Sequence, residues 1–204
     1  MRFKFPILLL LLVCSLPLIA RAQDEDEGYA VRREAASQAA VRQLSDRDPL
    51  VRQRAAEVLA DFSATEQQRL VEGYRLQEKN DRVKLALDWA LYRMGKSDAL
   101  YGIVRSFGSD SRRPQAVGYL AQLPGPQPLM GFFEHADNKT LVGLLEVMAR
   151  IGDAETLEFI RPHLTSYDTK VADAARFAER EINSRLAAPP PDTLTRPREV
   201  GKTG

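Results

Sequence analysis

Proton transfer near neutral pH and metal ligation fall first to histidine, and this chain has two, His135 and His163. They stand in separate helical segments, each near a helix end, with no cysteine beside them and no His-Glu-x-x-His spacing. A histidine so placed caps a helix C-terminus more readily than it holds a metal. Gly201-Lys202-Thr203 imitates the end of a phosphate loop, but Arg196 occupies the place of the first glycine. Carboxylates are abundant and scattered, and no Gly-x-Ser-x-Gly turn is present to raise a nucleophile. Asn138-Lys139-Thr140 fits the N-glycosylation acceptor pattern. These observations lead to the expectation of no catalytic residue, no metal and no cofactor.

The elements that would position any site are helices. From Ser45, the stretch SDRDPLVRQRAAEVLADF reads as a polar turn followed by a helix. Its apolar positions Val51, Ala55, Val58, Leu59 and Phe62 recur at three- and four-residue steps. The pattern returns down the chain. Val51, Val83, Arg112, Leu141 and Val171 begin five such helices at a period of about 30 residues, the length of one helical hairpin in a solenoid. Each is preceded by a partner helix: Tyr29 to Leu44, Thr65 to Gln77, then segments around Ile103, Phe132 and Ile160. Gly95 and Gly152 are expected stops, Pro124-Gly125-Pro126 a break, and Pro162 a residue that shortens or kinks its helix.

The unit DRDPLVRQRAAEVLADF, repeated as NDRVKLALDWALYRMG and more loosely as DNKTLVGLLEVMARIG and YDTKVADAARFAERE, resembles the second helix of HEAT repeats. The resemblance covers residues 29–186 and implies an all-α, right-handed α-solenoid of about five HEAT-like helix pairs. It also implies a hydrogen-bonded ladder between repeats, from an Asp in the turn and an Arg just inside the second helix. Asp46 and Arg52 match those positions, with Lys84 and nearby Glu78 as their counterparts in the second repeat. Phe107 and Arg113, Ala136 and Val142, and Ser166 and Ala172 depart from the pattern, so later repeats are expected to rely on apolar stacking. Members of the family are typically binding scaffolds.

Helix faces carry the candidate site. In the second repeat Val83, Leu87, Ala90, Leu91 and Met94 form a core face, while Leu85, Trp89 and Tyr92 fall on the opposite side. A helix apolar on two faces must pack twice or expose one of them. Carried through the register, the second stripe includes Gly118, Val147, Arg150, Phe177 and Arg180. The expected feature is a shallow apolar trough between Trp89 and Phe177, edged by Arg150 and Arg180, that takes a protein or peptide partner. Small residues such as Gly118 and Gly143 also serve simply to let neighbours approach.

The ends complete the reading. Met1 to Ala22 combines basic Arg2 and Lys4, an apolar run and Ala20-Arg21-Ala22, the pattern of a signal peptide cleaved before Gln23. The apolar run, about 15 residues, is short for a membrane span of about 20. Tethering is expected only through an uncleaved signal or a lipidated Cys14, and Val13 stands where a lipoprotein signal carries a smaller residue. Residues 23–28 read as a solvated acidic leader and 187–204 as a disordered, proline-rich tail. The formal net charge of +1 turns weakly negative once the signal is removed, and acids interleave with the arginines, so nucleic acid is not an expected partner. The expectation is an exported, periplasmic or extracellular, non-catalytic scaffold that binds a protein or peptide on its concave face. Its alternatives are an enzyme with a site assembled across repeats, around His135 or His163, and a structural subunit of an envelope assembly.

Overall fold

The computed structural model describes residues 16–188, with side-chain burial from residue 30 onward. Most of the expected signal peptide, Cys14 included, and the tail from residue 189 lie outside the described residues. The chain is all-α: every regular element among the described residues is helical. No helix among them is long and apolar enough to cross a membrane. Contacts divide the chain into two units, Met1–Leu100 and Tyr101–Gly204.

In the first unit, α1 (Leu16–Gln43) packs on α2 (Pro49–Asp61), α2 on α4 (Asp81–Arg93), and α3 (Gln68–Gln77) on α4. Helix α1 begins well before Tyr29, so the acidic run Asp24–Glu27 is helical where a disordered leader was expected. Pro17 falls in the first turn, where its missing N–H costs nothing, and no further proline interrupts the segment. Helix α2 starts where Asp48 accepts the Leu50 N–H at 2.9 Å with Pro49 as the first helical residue. Its buried stripe is Ala55, Ala56, Leu59 and Ala60, while the expected core residues Val51, Val58 and Phe62 are half-buried. Alanines at these positions let neighbouring helices approach closely.

Helices α2 and α4 end alike. The Ala64 N–H reaches back to the Leu59 carbonyl and Ser63 N–H to Ala60; Lys96 N–H reaches Leu91 and Gly95 N–H reaches Tyr92. This Schellman pattern needs a left-handed residue after the helix, supplied by Ser63 at φ 47° and Gly95 at φ 97°. Gly95 was expected as a stop. Ser63, which bears a Cβ, was not.

Polar links tie these helices at their starts. Arg52 donates from Nε and Nη2 to the two Glu78 carboxylate oxygens at 2.7 and 2.9 Å, and from Nη1 to the carbonyls of Asp46 and Arg47 at 2.8 and 3.1 Å. Glu78 also accepts the N–H groups of Lys79 and Asn80. Arg52 thus staples the turn before α2 to the turn before α4. The Asp46 carboxylate instead accepts the N–H of Asp48, inside its own turn. The carboxylate that Arg52 engages is thus Glu78, and not the Asp46 side chain expected for a ladder. Further along α4, Asp88 accepts from Arg75 of α3 at 2.5 and 3.0 Å, and burial pushes its carboxyl up against the pull of that guanidinium.

The second unit is built around α7 (Asn138–Ile151), with α6 (Arg113–Leu120) and α9 (Thr169–Ala187) packed on it. The boundary between units falls within α5 (Ala99–Arg105), and α8 (Thr156–Ile160) packs on α9. The segment Gln127–His135 is a 3-10 helix, in keeping with Pro126, Pro128 and Gly131. Helix α8 stops at Ile160 and continues as a 3-10 turn through Pro162, as that proline predicts. Gly143 faces the ring of buried Phe107, where a Cβ would lie 2.3 Å from the ring. Its lack of a side chain is what lets the ring lie against α7. Arg185, near the end of α9, donates to the carbonyls of Ala149 and Gly152.

Ser63→Gly removes the left-handed strain and raises unfolding free energy by about 0.5–1 kcal/mol, whereas Gly95→Ala lowers it by about 1 kcal/mol with no steric contact to blame, both read by chemical denaturation. The Arg52 guanidinium and two backbone N–H groups hold the Glu78 carboxyl at about 2, against an ordinary 4.5. A depressed folded value stabilises above the unfolded value and loses that stability as pH falls toward the folded one. Glu78→Gln should therefore cost about 2 kcal/mol near neutral pH, with the gap from wild type narrowing between about pH 4.5 and 2.

Candidate functional site

The second apolar stripe of α4 is covered. Leu85 is 2% exposed and Trp89 1%, so neither presents a surface to a partner, and Tyr92 is half-buried. The Tyr92 ring stacks on Trp89, centroids 5.8 Å apart, and the Arg93 guanidinium lies 5.5 Å from the Trp89 ring. Helix α4 packs on both apolar faces, because burying a large aromatic side chain is worth several times what an exposed one contributes. In the second unit Val147 is also fully buried. The apolar wall expected from Leu85, Trp89 and Val147 is therefore core, and the trough as drawn from the sequence is corrected to that extent.

The remaining expected site residues reach solvent. Gly118 is half-buried with open space where a Cβ would stand. Arg150 and Arg180 are exposed. Phe177 is 46% exposed, and Arg180 places its guanidinium 5.9 Å from the Phe177 ring.

An open concavity lies where α6, α7 and α9 begin. It is an open groove of about 560 Å³ lined by Asp110, Arg113, Asn138, Lys139, Val142, Tyr167, Asp168, Thr169 and Lys170. Capping arranges its walls. Asp137 accepts the Thr140 N–H at 2.8 Å and starts α7; Asp168 accepts the Lys170 and Val171 N–H groups at 2.9 and 3.3 Å and starts α9. The second oxygen of Asp168 accepts the Asn138 side-chain amide at 2.8 Å, joining the two helix starts. The Thr140 side chain and N–H hold the Asp137 carboxyl below the usual carboxylate range, and the Val171 N–H, the Asn138 amide and the Lys170 N–H do the same for Asp168. Asp110 accepts from Arg113 at 2.9 Å. No hydrogen bond or ion pair engages the ammonium group of Lys139 or of Lys170 among the described residues. Tyr167 stands fully exposed at the rim.

Helix geometry extends this surface. Residues seven apart share a face, about 10 Å along the axis. Lys139 is followed by Glu146 and then Arg150 on α7, and Lys170 by Phe177 on α9. Glu146 is half-buried, and burial raises its carboxyl while Arg113 and Arg150 oppose the shift. The groove residues carried a sequence signal of their own. Asp137-Asn138-Lys139 and Asp168-Thr169-Lys170 repeat one arrangement, a capping acid with a lysine two places on.

A second concavity, of about 370 Å³, is apolar: Tyr101 and Phe132 meet edge to face with centroids 5.0 Å apart, beside Val104. His135 is exposed, and His163 lies against the Phe133 ring, where burial lowers its pKa. Among the described residues, no three His, Cys, Asp or Glu side chains gather as a metal site would require. No family model matches this chain, and no curated protein matches it in sequence.

Trp89→Ala should behave as a core truncation, with a loss of about 3–5 kcal/mol in chemical denaturation. A loss under about 1 kcal/mol would contradict its burial.

Proposed function

We propose that this chain is an exported, non-catalytic scaffold, a right-handed α-solenoid of about five HEAT-like helix pairs that binds a protein or peptide. One observation carries the reading: the groove at the starts of α6, α7 and α9, where a fully exposed Tyr167 stands beside Lys139 and Lys170. An exposed aromatic beside charged side chains around an open concavity supplies the ingredients of a recognition surface. Phe177, two turns along α9 from Lys170, adds a second aromatic contact on the same side of that helix. The interaction surface is thus the solvent side of α6, α7 and α9, with Gly118, Arg150, Phe177 and Arg180 kept from the expected stripe and Tyr167 added. The Arg52 to Glu78 staple, set between turns in the manner of a HEAT ladder, supports the repeat reading.

The test is affinity capture from envelope extract with the wild-type chain against a Tyr167→Ser, Phe177→Ser double variant. Both side chains are exposed, so helicity and thermal unfolding should be unchanged. The wild type should retain a partner that the variant loses by about tenfold or more, the loss of two interface aromatics. Equal capture by the two overturns the assignment of this face.

A further inference from the structure

We infer that residues 191–200 of this chain dock in the apolar concavity between Tyr101 of α5 and Phe132 of the 3-10 helix Gln127–His135. Groove and segment belong to the same unit.

The groove has the parts that a proline-rich segment needs. Tyr101 is 70% exposed and meets Phe132 edge to face, and the cavity beside them, about 370 Å³, is otherwise lined by Gly102, Val104 and Arg105. Two aromatic walls around a space larger than a proline ring are how polyproline II ligands are held. The exposed tyrosine and half-buried phenylalanine also leave apolar area in water that an occupant removes. Arg105, one turn beyond Tyr101 on α5, is exposed, with no hydrogen bond or ion pair to the described residues. The groove therefore calls for an apolar ring with an acid close by.

The sequence after α9 supplies both. Pro191, Leu194, Pro197 and Val200 recur at every third position, with polar residues between them. Three residues per turn is the period of polyproline II, so in that conformation these four share one face, about 9 Å apart. The prolines bar an α-helix, and a strand would need alternation by two. With Pro197 between the rings, Glu199 lies about 6 Å further along, within reach of the long Arg105 side chain.

Reach favours this part of the segment. Arg185 fixes the last turns of α9 at the Gly152 carbonyl, and the next residue, Asp153, accepts the Gln127 side-chain amide at 3.2 Å. The end of α9 and the start of the groove's second wall thus meet at one end of α7. From Gln127 to Phe132 is about 10 Å of 3-10 helix. Pro197 stands nine residues past Ala188, an extended reach of about 30 Å. A tether this short also raises the effective concentration of the segment to about the millimolar range, so a contact too weak to hold a separate peptide fills the groove.

The test is hydroxyl-radical footprinting of the full chain, with oxidation of Tyr101 and Phe132 read by mass spectrometry and fully exposed Tyr167 as internal reference. The Leu194→Ser, Pro197→Ser variant leaves the packed helices untouched, so its circular dichroism should match the wild type. Tyr101 should oxidise at least about threefold more slowly in the wild type than in this variant, with Tyr167 equal in both. Arg105→Glu should lose the protection, and Arg105→Glu combined with Glu199→Arg should recover it. Equal oxidation of Tyr101 in the wild type and the Leu194, Pro197 variant overturns the inference. Protection that disappears on dilution gives the groove to a second copy and overturns docking within the chain. Protection that Arg105→Glu retains overturns the ion pair, and with it the register that places Pro197 between the rings.

Discussion

A helix cannot start without partners for its first amides, and four helices of this chain obtain them in one way. Asp48, Asn80, Asp137 and Asp168 each stand in extended backbone and accept from an N–H in the first turn. Each cap fixes where its helix begins, and so which residues face inward. Two links between helices are attached at these same turns: Arg52 reaches Glu78 beside the Asn80 cap, and Asn138 reaches the Asp168 cap itself. The chain thus sets its local boundaries and ties neighbouring helices together with the same short polar segments.

That double use shapes the candidate site. The capping acids Asp137 and Asp168 each keep their charge, and the lysine two places on pulls on it through space. The groove is a by-product of how helices begin, with acids and cations side by side along its walls. The apolar stripes behave the opposite way. Where α4 carries two, both are taken into the core, and the ring of Trp89 meets both Tyr92 and Arg93.

Helix periodicity was the most legible feature. The core face of α4, the stop at Gly95 and the break at Pro162 all follow from spacing and from residue chemistry that acts within a few positions. Partners distant in sequence were not legible in the same way. Glu78 could be placed near a turn, but nothing in the sequence says that Arg52 takes the Glu78 carboxylate and only the backbone carbonyl of Asp46. Asn138 and Asp168 are 30 residues apart and share no pattern that marks them as a pair. Covering was the other hidden quantity. Periodicity gives α4 two apolar faces but cannot tell a covered face from an open one, which is why Leu85, Trp89 and Val147 read as surface. Ser63 escaped because its left-handed backbone is imposed by the Schellman bonds around it and not by its own preference.

Arg185 has a mechanical consequence. By grasping the carbonyls of Ala149 and Gly152, it fastens the last turns of α9 to the far end of α7, the helix at the centre of its unit. A force applied at residue 188 is therefore shared between two helices instead of fraying one from its end. The end of α9 is a clamped point, its position set by α7 as well as by α9 itself.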